Sequence, residues 1–272
     1  MINTQFFWAT DLDGTLICFG RNADEVVIPP AAVELLCDPE IPKVIVTGRD
    51  FAGFQKLWDR SAGSDHRIPC DVIASHGGEF YDASTQKVQP PSLSFQEITF
   101  LEDARQKTAQ FLQERGWIEA LEQKPYSLSI NFRSGPNPQA LQGLAENLLS
   151  SCTPIPQISL GSNGELVPGF EVRQEDGGCE LRSIRYNKGI AVQSYLDRRG
   201  ISYPIIFTCD SLRQHGTDYS AAIAVTDRGG QVWHVINGQE ENRFVDDLVR
   251  PTAVFNMPIE LIQHLTETFL GK

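Results

Sequence analysis

The sequence has no block of lysine or arginine and no apolar run of the length that crosses a membrane. It carries 23 lysine and arginine residues against 35 aspartate and glutamate residues, which gives a formal net charge of −12. We expect no nucleic-acid partner, because phosphate backbones are bound by basic surfaces. We expect no membrane partner either, since a spanning helix needs about 20 apolar residues. The chain also reaches Asp11 before any apolar run of signal-peptide length.

Paired cysteines are missing as well. The six cysteines are scattered and form no Cys-x-x-Cys pair; they are Cys18, Cys37, Cys70, Cys152, Cys179 and Cys209. Neither a zinc site nor a disulfide framework is predicted, and reduced thiols favour a soluble, cytoplasmic protein. With 272 residues, of which 41% are hydrophobic, the chain is typical of globular proteins and can bury one large core or two smaller ones.

Two aspartates directly follow an apolar segment near the start of the chain. The segment Phe6–Thr10 is followed by Asp11, Leu12, Asp13, Gly14 and Thr15. This pattern predicts a buried strand that delivers two carboxylates to the edge of a sheet. Such carboxylates repel each other unless a cation or a proton lies between them, and Mg²⁺ bound by carboxylates and substrate phosphate oxygens meets that need. The alternative is a surface turn with Asx-type hydrogen bonds.

Strands and helices alternate up to about residue 84, as in a parallel sheet with crossover helices. The predicted elements are the strand before Asp11, a helix over 31–36, a strand over 43–46, a helix over 51–60 and a strand over 71–74. The later strands end at Thr47-Gly48-Arg49 and at Ser75-His76-Gly77-Gly78. Open α/β sheets place their ligands at such strand ends.

The pattern changes after residue 84 and returns near residue 182. A polar connector over 87–91 precedes a predicted helix over 100–115, a strand over 126–133, a helix over 138–150 and strands over 157–160 and 165–173. The parallel pattern then resumes with a helix over 188–199, a strand over 204–208, a helix over 219–222, strands over 223–226 and 232–236, and a helix over 258–270. The fold class is therefore α/β: a Rossmann-like core (1–83 and 182–272) interrupted by an inserted α+β cap (84–181).

The Asp-x-Asp-Gly-Thr-Leu motif after a hydrophobic strand resembles the first motif of the haloacid dehalogenase-like phosphatases. The resemblance implies that Asp11 attacks phosphorus and forms an aspartyl-phosphate. It also implies that Asp13 donates a proton to the leaving oxygen and then activates the hydrolytic water. Covalent catalysis by a carboxylate suits phosphoryl transfer.

The strand end at Thr47 is similar to the second motif of this family, whose hydroxyl binds a phosphate oxygen. Thr47, Gly48 and Arg49 are accordingly predicted to bind substrate. Lys188 stands at the start of a predicted helix, where the helix dipole disfavours a cation. In the resembling family this lysine screens the nucleophile from the phosphate; the alternative is a solvated surface lysine.

The fourth motif departs from the family pattern. Related phosphatases usually read Gly-Asp-Asp, with another Asp four residues after the first. Here Cys209, Asp210 and Ser211 follow an apolar strand, and the candidate second Asp is Asp218, eight residues after Asp210. A four-residue insertion would account for this spacing, whereas the alternative makes Asp218 only a helix N-cap. The resemblance thus implies a Mg²⁺ site formed by Asp11, the carbonyl of Asp13, Asp210 and Asp218.

The position of the insertion, between the second and third motifs, resembles phosphatases of trehalose 6-phosphate and sucrose phosphate and their mutase cousins. The stretch from Lys124 to Arg133 resembles the trehalose-phosphatase cap pattern. Glu171, two residues before Arg173, resembles its Glu-x-Arg stretch. The resemblance implies that Lys124, Arg133 and Glu171 bind the sugar; the alternative places Lys124 and Arg133 on the exposed face of a strand.

These motifs together resemble a Mg²⁺-dependent phosphatase that hydrolyses a small sugar phosphate, with trehalose 6-phosphate as the first compound to test. Two alternatives stay open. One is a phosphomutase with a similar cap. The other is a sugar-phosphate-binding protein without catalysis, which the altered fourth motif would suit.

Overall fold

The computed structural model describes residues 6–18, 26–132, 140–141, 145, 147–148, 169–175, 178–212, 216–237 and 249–271. The chain divides into two compact units. The first unit consists of Met1–Pro90 and Asn187–Lys272, and the second consists of Pro91–Tyr186. No helix within the described ranges is both long enough and apolar enough to span a membrane.

The strands of the described chain, in sequence order, are as follows. They are β1 (Phe7–Thr10), β2 (Lys43–Val46), β3 (Asp71–Ala74), β4 (Glu79–Asp82), β5 (Lys87–Gln89), β6 (Leu121–Lys124), β7 (Ser127–Asn131), β8 (Phe170–Glu175), β9 (Gly178–Ser183), β10 (Ile205–Cys209), β11 (Gln231–Val235) and β12 (Ala253–Phe255). The α-helices that lie entirely within the described residues are α1 (Pro30–Cys37), α2 (Phe51–Ala62), α3 (Phe95–Gln113), α4 (Lys188–Arg199), α5 (Tyr219–Thr226) and α6 (Pro258–Leu270).

The first unit is built on a sheet in the order β12-β11-β10-β1-β2-β3-β4-β5. The neighbours from β12 to β3 are parallel, and β4 and β5 are antiparallel additions at one edge. Strand β1 lies between β2 and β10, and all four of its residues are buried. An uninterrupted apolar run is typical of a strand that is covered on both faces. The carboxyl ends of β10, β1 and β2 therefore lie side by side.

Helices cover both faces of this sheet. Trp8 of β1 belongs to an apolar cluster with residues of α1, α2 and α6. Phe7 and Ala9 of the same strand belong to a second cluster with residues of α4 and α5. Because side chains alternate along a strand, β1 contributes to both cores at once. This three-layer arrangement confirms the predicted Rossmann-like α/β core.

The second unit has an antiparallel sheet in the order β6-β7-β9-β8. Helix α3 begins after Ser94, which forms a capping box with Glu97. Leu101 of α3 packs with Leu128 and Leu181 of the sheet in a separate core. The second unit is therefore an α+β module, with polar residues alternating with these apolar ones along β7 and β9.

The structure corrects several predicted elements. Residues 223–226, predicted as a strand, continue helix α5 to Thr226; their short apolar run fits a buried helix as well as a strand. The connector predicted over 87–91 contains the exposed strand β5. Strands β6 and β9 were not predicted, and α3 begins five residues earlier than expected, at the capping box. The predicted strand 157–160 and Arg133 lie outside the described residues, as does most of the predicted helix 138–150.

Candidate active site

Three adjacent parallel strands deliver polar side chains to one edge of the sheet. Asp11 follows β1, Thr47 follows β2 and Asp210 follows β10, and all three are buried. The backbone N–H of Asp11 donates to the Thr208 carbonyl at 2.8 Å, which continues the β1–β10 ladder one residue beyond the strand. The juxtaposition expected from the first, second and fourth motifs is therefore present.

Lys188 joins two of the site's carboxylates. Its Nζ donates to Asp11 Oδ1 at 2.7 Å and to Asp218 Oδ1 at 2.6 Å. The side chain of Lys188 is only 3% exposed. Asn187 caps the start of α4 by accepting from the Gly189 N–H at 2.7 Å, so the helix begins at a fixed place beside the site. The alternative of a solvated surface lysine is wrong.

Asp218 does not act as a side-chain N-cap. It lies directly before α5, but its side chain makes no capping hydrogen bond to that helix. Instead Oδ1 accepts from Lys188, and Oδ2 accepts from the Ser211 N–H at 3.3 Å. The Asp218 side chain is fully buried. The lengthened fourth motif thus still brings this carboxylate into the site.

Asp11, Asp210 and Asp218 form a compact carboxylate group. One ligand atom from each lies within 4.8 Å of the others, and all three residues are buried. The set consists of hard oxygen donors, which Mg²⁺ prefers. Together with one lysine the cluster carries an excess of buried negative charge. A divalent cation fits both the donor chemistry and this charge.

The pKa values in the cluster reflect its burial first and its neighbouring charges second. Burial, followed by the charge of Asp218, raises the pKa of Asp11 from 3.8 to about 7. Burial alone would lower the pKa of Lys188, but Asp11 and Asp218 together raise it above its ordinary value. Lys188 is therefore charged at neutral pH. Burial also raises the pKa of the Cys209 thiol, next to Asp210, so this cysteine stays protonated.

Asp13 lies apart from these carboxylates and pairs with Arg49. Arg49 Nε donates to Asp13 Oδ2 at 2.8 Å, and Nη2 donates to Oδ1 at 2.6 Å. Thr47 is fully buried, and its Oγ1 accepts from the Arg49 N–H at 3.1 Å. Gly48 lies against the ring of His76, where an added Cβ would come within 2.6 Å of a ring carbon. Of the second motif, Arg49 thus contacts Asp13 directly, and Thr47 holds the Arg49 backbone.

The structure resembles solved structures over almost the whole chain, although no protein-family model and no curated protein sequence matches it. A trehalose-6-phosphate phosphatase related protein is 18% identical with a TM-score of 0.68, over 97% of this chain and 98% of that chain. The C-terminal domain of the C. albicans trehalose-6-phosphate phosphatase is 16% identical with a TM-score of 0.70, over 97% and 91%. A haloacid dehalogenase-like hydrolase from Bacteroides thetaiotaomicron is 14% identical with a TM-score of 0.62, over 97% and 99%. The chain has the haloacid dehalogenase-like fold.

A buried chain of hydroxyl groups supports the start of the first motif, and no pattern in the sequence predicts it. Trp8 Nε1 donates to Thr208 Oγ1 at 3.1 Å, and Thr208 Oγ1 donates to Thr10 Oγ1 at 2.7 Å. Thr10 Oγ1 then donates to the Asp11 carbonyl at 2.6 Å. Each polar group is satisfied inside the core, which fixes β1 against β10 directly before Asp11.

Thr15 and His234 are further residues that sequence reasoning missed. Thr15 Oγ1 donates to Asp11 Oδ2 at 3.1 Å, on the oxygen that Lys188 does not contact. His234 Nε2 lies 3.0 Å from the Asp210 carbonyl and donates to it. The signal for Thr15 was its place inside the first motif, whereas His234 is far along the chain and only β10–β11 pairing brings it near.

In the second unit of this haloacid dehalogenase-like chain, Lys124 pairs with Glu180 rather than with Glu171. Lys124 Nζ donates to Glu180 Oε1 at 2.9 Å, and Ser127 Oγ donates to the same oxygen at 2.6 Å. Glu171 Oε1 lies 2.9 Å from Arg173 Nε and 3.2 Å from Arg182 Nε. Lys124 and Glu171 thus belong to two polar groups of the same sheet.

Glu180 is the residue of these groups that was not predicted from the sequence. It lies on β9, a strand that was not predicted. The spacing Glu-x-Arg of Glu171 recurs nine residues later, at Glu180. The second occurrence is the signal that could have identified it. Only the pairing of β7 with β9 shows that Glu180 faces Lys124.

Proposed function

We propose that this protein is a Mg²⁺-dependent phosphatase that hydrolyses a sugar phosphate through an aspartyl-phosphate intermediate. The observation that carries the proposal is the buried Lys188, which bridges Asp11 and Asp218 beside Asp210. The solved structures of similar fold include trehalose-6-phosphate phosphatases. Phosphoryl transfer asks a protein mainly for positioning and electrostatic stabilisation, and this small set of residues supplies both.

In the first half of the proposed reaction, Asp11 forms a bond to phosphorus as the bond between phosphorus and the leaving alcohol oxygen breaks. Asp13 donates the proton that this oxygen takes up. Lys188 and the Thr47 hydroxyl bind phosphoryl oxygens, and the charge of Lys188 also favours the ionised form of Asp11 that attack requires. In the second half, water attacks phosphorus and Asp13 accepts its proton, which releases phosphate and restores Asp11.

The residues that would hold the metal ion are Asp11, Asp210 and Asp218 with their carboxylates and Asp13 with its carbonyl. A bound Mg²⁺ would supply positive charge next to the phosphoryl oxygens. The fit rests on the three buried carboxylates, which offer hard oxygen donors within 4.8 Å of one another.

We further propose that the second unit selects the sugar. The groups of the first unit address phosphate and metal, which are common to all phosphate monoesters. Lys124 and Glu171 lie in polar groups on the sheet of the second unit, and polar side chains that bind hydroxyls reject analogues strongly. Arg133 is proposed with them from its sequence position alone. Trehalose 6-phosphate is the first candidate substrate, and a cytoplasmic location stays a prediction.

Release of phosphate from a panel of sugar phosphates, measured with Mg²⁺ and with EDTA, tests the proposal. We expect release that requires Mg²⁺ and is abolished in Asp11→Asn, because the amide is similar in size but is a poor nucleophile and metal ligand. Release that needs an added sugar bisphosphate would instead indicate the phosphomutase alternative. Binding of a sugar phosphate without any release would indicate the binding-protein alternative, although the placement of Asp218 removes the structural ground for a degraded motif.

A further inference from the structure

Arg49 holds both oxygens of Asp13 with two nitrogens of its guanidinium group. The two distances, 2.8 Å and 2.6 Å, describe a bidentate pair. Such a pair fixes the plane and direction of a carboxylate, which one hydrogen bond or a lysine cannot do. The side chains of Arg49 and Asp13 are 21% and 32% exposed, so the pair lies at the border of solvent. Orientation of Asp13 is the property that this geometry controls.

The backbone of Arg49 is itself held in place. Its N–H donates to Thr47 Oγ1, and its carbonyl accepts from the Ser75 N–H at 2.7 Å. Ser75 and His76 both have positive φ angles, 49° and 55°. Non-glycine residues in this region persist only where their surroundings determine the conformation strongly.

Glu79 is one of the residues that hold Ser75 in this conformation. Its Oε2 accepts from Ser75 Oγ at 2.7 Å and from the Phe51 N–H at 2.9 Å, although the residue is buried. Glu79 thereby ties the left-handed turn at Ser75 to the start of α2, two residues after Arg49. The position from which the Arg49 side chain extends to Asp13 is therefore fixed on both sides.

Asp13 needs such a restraint because of where it lies. It is two residues from Asp11 in sequence, yet its carboxylate is not part of the buried group of Asp11, Asp210 and Asp218. An unrestrained carboxylate is drawn towards nearby positive charge, here Lys188 or a bound cation. A carboxylate that turned to such a charge could no longer face a leaving group.

We propose that Arg49 is a positioning residue that keeps the Asp13 carboxylate directed at the leaving-group oxygen and away from the cation site. This inference rests on the proposed function and replaces direct substrate binding as the role of Arg49. When one oxygen of Asp13 carries the proton, the other still accepts from Arg49, so the orientation survives the transfer. The proton then passes from that oxygen to the leaving oxygen as its bond to phosphorus breaks.

A series of phosphate esters with increasingly basic leaving groups tests the proposal, since only poor leaving groups need a proton in the transition state. We would measure kcat/KM for p-nitrophenyl, phenyl and alkyl phosphates with Arg49→Met, Arg49→Lys and Asp13→Asn. For Arg49→Met we expect a loss of about 10- to 100-fold with the alkyl ester and less than about threefold with p-nitrophenyl phosphate. The larger loss does not exceed the lower end of the roughly 10²–10⁴-fold that a positioned acid contributes, since the acid itself is still present. Arg49→Lys, which retains charge without the fork, should lie between this variant and the parent.

The double variant Asp13→Asn/Arg49→Met separates an action through Asp13 from direct contact with substrate. If Arg49 acts through Asp13, adding Arg49→Met to Asp13→Asn should change kcat/KM less than about twofold, since coupled residues are not additive. Equal losses for all esters that add to those of Asp13→Asn would overturn the proposal. Should Arg49→Met melt far below the parent, the ester dependence of Arg49→Lys gives the same comparison.

The same series distinguishes this proposal from the proposed function. If the parent protein releases phosphate in the presence of Mg²⁺ but the losses of the variants are equal for all esters, only the proposed role of Arg49 is overturned. A parent protein that releases phosphate neither from these esters nor from the panel of sugar phosphates overturns the phosphatase proposal and the role of Arg49 with it.

Discussion

At the scale of single residues, Asp218 shows how a carboxylate far from the family spacing still joins the site. Its oxygens accept from Lys188 and from the Ser211 backbone. Its burial leaves it no contact with solvent to replace these partners. The side chain is therefore committed to the site and contributes nothing to capping α5.

Replacing Asp218 should impair metal binding more than substrate binding. In Asp218→Asn one charged ligand of the proposed Mg²⁺ site is lost. The Mg²⁺ concentration for half-maximal phosphate release should therefore rise at least about tenfold, since replacing a residue that supports a metal site typically weakens metal binding by about this much. The substrate KM at saturating Mg²⁺ should change much less. Asp227→Asn, at the exposed other end of α5, is the matched control. An unchanged Mg²⁺ titration would remove Asp218 from the metal site.

At the scale of elements, the turn between β3 and β4 supports the second motif, which consists of Thr47, Gly48 and Arg49. Gly77 has a φ of 102°, and an added Cβ would lie 2.4 Å from the Cβ of Ala191 on α4. The turn therefore packs directly against the helix that begins with Lys188. From the sequence, Ser75-His76-Gly77-Gly78 was predicted as the end of a strand, and nothing in it indicated a contact with α4.

Gly77→Ala should both destabilise the protein and reduce its activity. The positive φ and the overlap with Ala191 together should lower the free energy of unfolding by about 1–3 kcal/mol, the usual range for overpacking. Gly200→Ala is the control: Gly200 ends α4 with a φ of 61°, and nothing lies within 4 Å of its added Cβ. Urea unfolding of both variants measures the difference. Equal destabilisation would show that the contact with Ala191 is relieved at no cost.

The sheet of the second unit should respond to Lys124→Ala in a substrate-dependent way. If Lys124 binds the sugar, kcat/KM should fall for the natural sugar phosphate while hydrolysis of p-nitrophenyl phosphate changes little. Glu171→Ala and Arg133→Ala should behave alike. Lys124→Ala also leaves Glu180 buried without this ion pair, so melting curves must accompany the assays. Parallel losses on both substrates in all three variants would make these residues structural.

At the scale of the whole molecule, the buried carboxylates should make stability depend on pH when metal is absent. The pKa of Asp11 is raised from 3.8 to about 7 in the folded protein and is ordinary in the unfolded chain. Below pH 3.8 both states hold the proton. Between these values the unfolded chain has lost the proton and the folded protein keeps it. The free energy of unfolding should therefore fall as the pH rises through this interval.

This contribution can be measured by urea unfolding in EDTA from about pH 4 to about pH 8. It is the difference in the free energy of unfolding between the parent and Asp11→Asn. Mg²⁺ should restore stability, by about 2.7 kcal/mol at about 100 times its Kd. The gain should be larger at the upper end of this range, since protons compete with the metal for Asp11. A Mg²⁺ effect of equal size in Asp11→Asn would show that the ion binds elsewhere.

The sequence alone determined the architecture of the first unit and the main residues of its site. Strands β2 and β3 and helices α4 and α6 have the predicted bounds, because buried parallel strands and amphipathic helices leave local patterns. Asp11, Thr47 and Asp210 directly follow β1, β2 and β10. Because these strands are parallel, their carboxyl ends lie at the same edge of the sheet. The features that could be predicted from the sequence were therefore those that depend on periodic patterns or on residues close together in the chain.

The tertiary structure decided what depends on contacts between distant residues. Residues 223–226 became helix because the packing of α5 buries Val225, a preference that four apolar residues cannot express by themselves. Glu180 became the partner of Lys124 through strand pairing across 56 positions. Asp218 reached Asp11 and Lys188 in spite of an altered spacing, and Arg49 turned to Asp13. Each of these outcomes follows from geometry in three dimensions, which no local pattern of residues encodes.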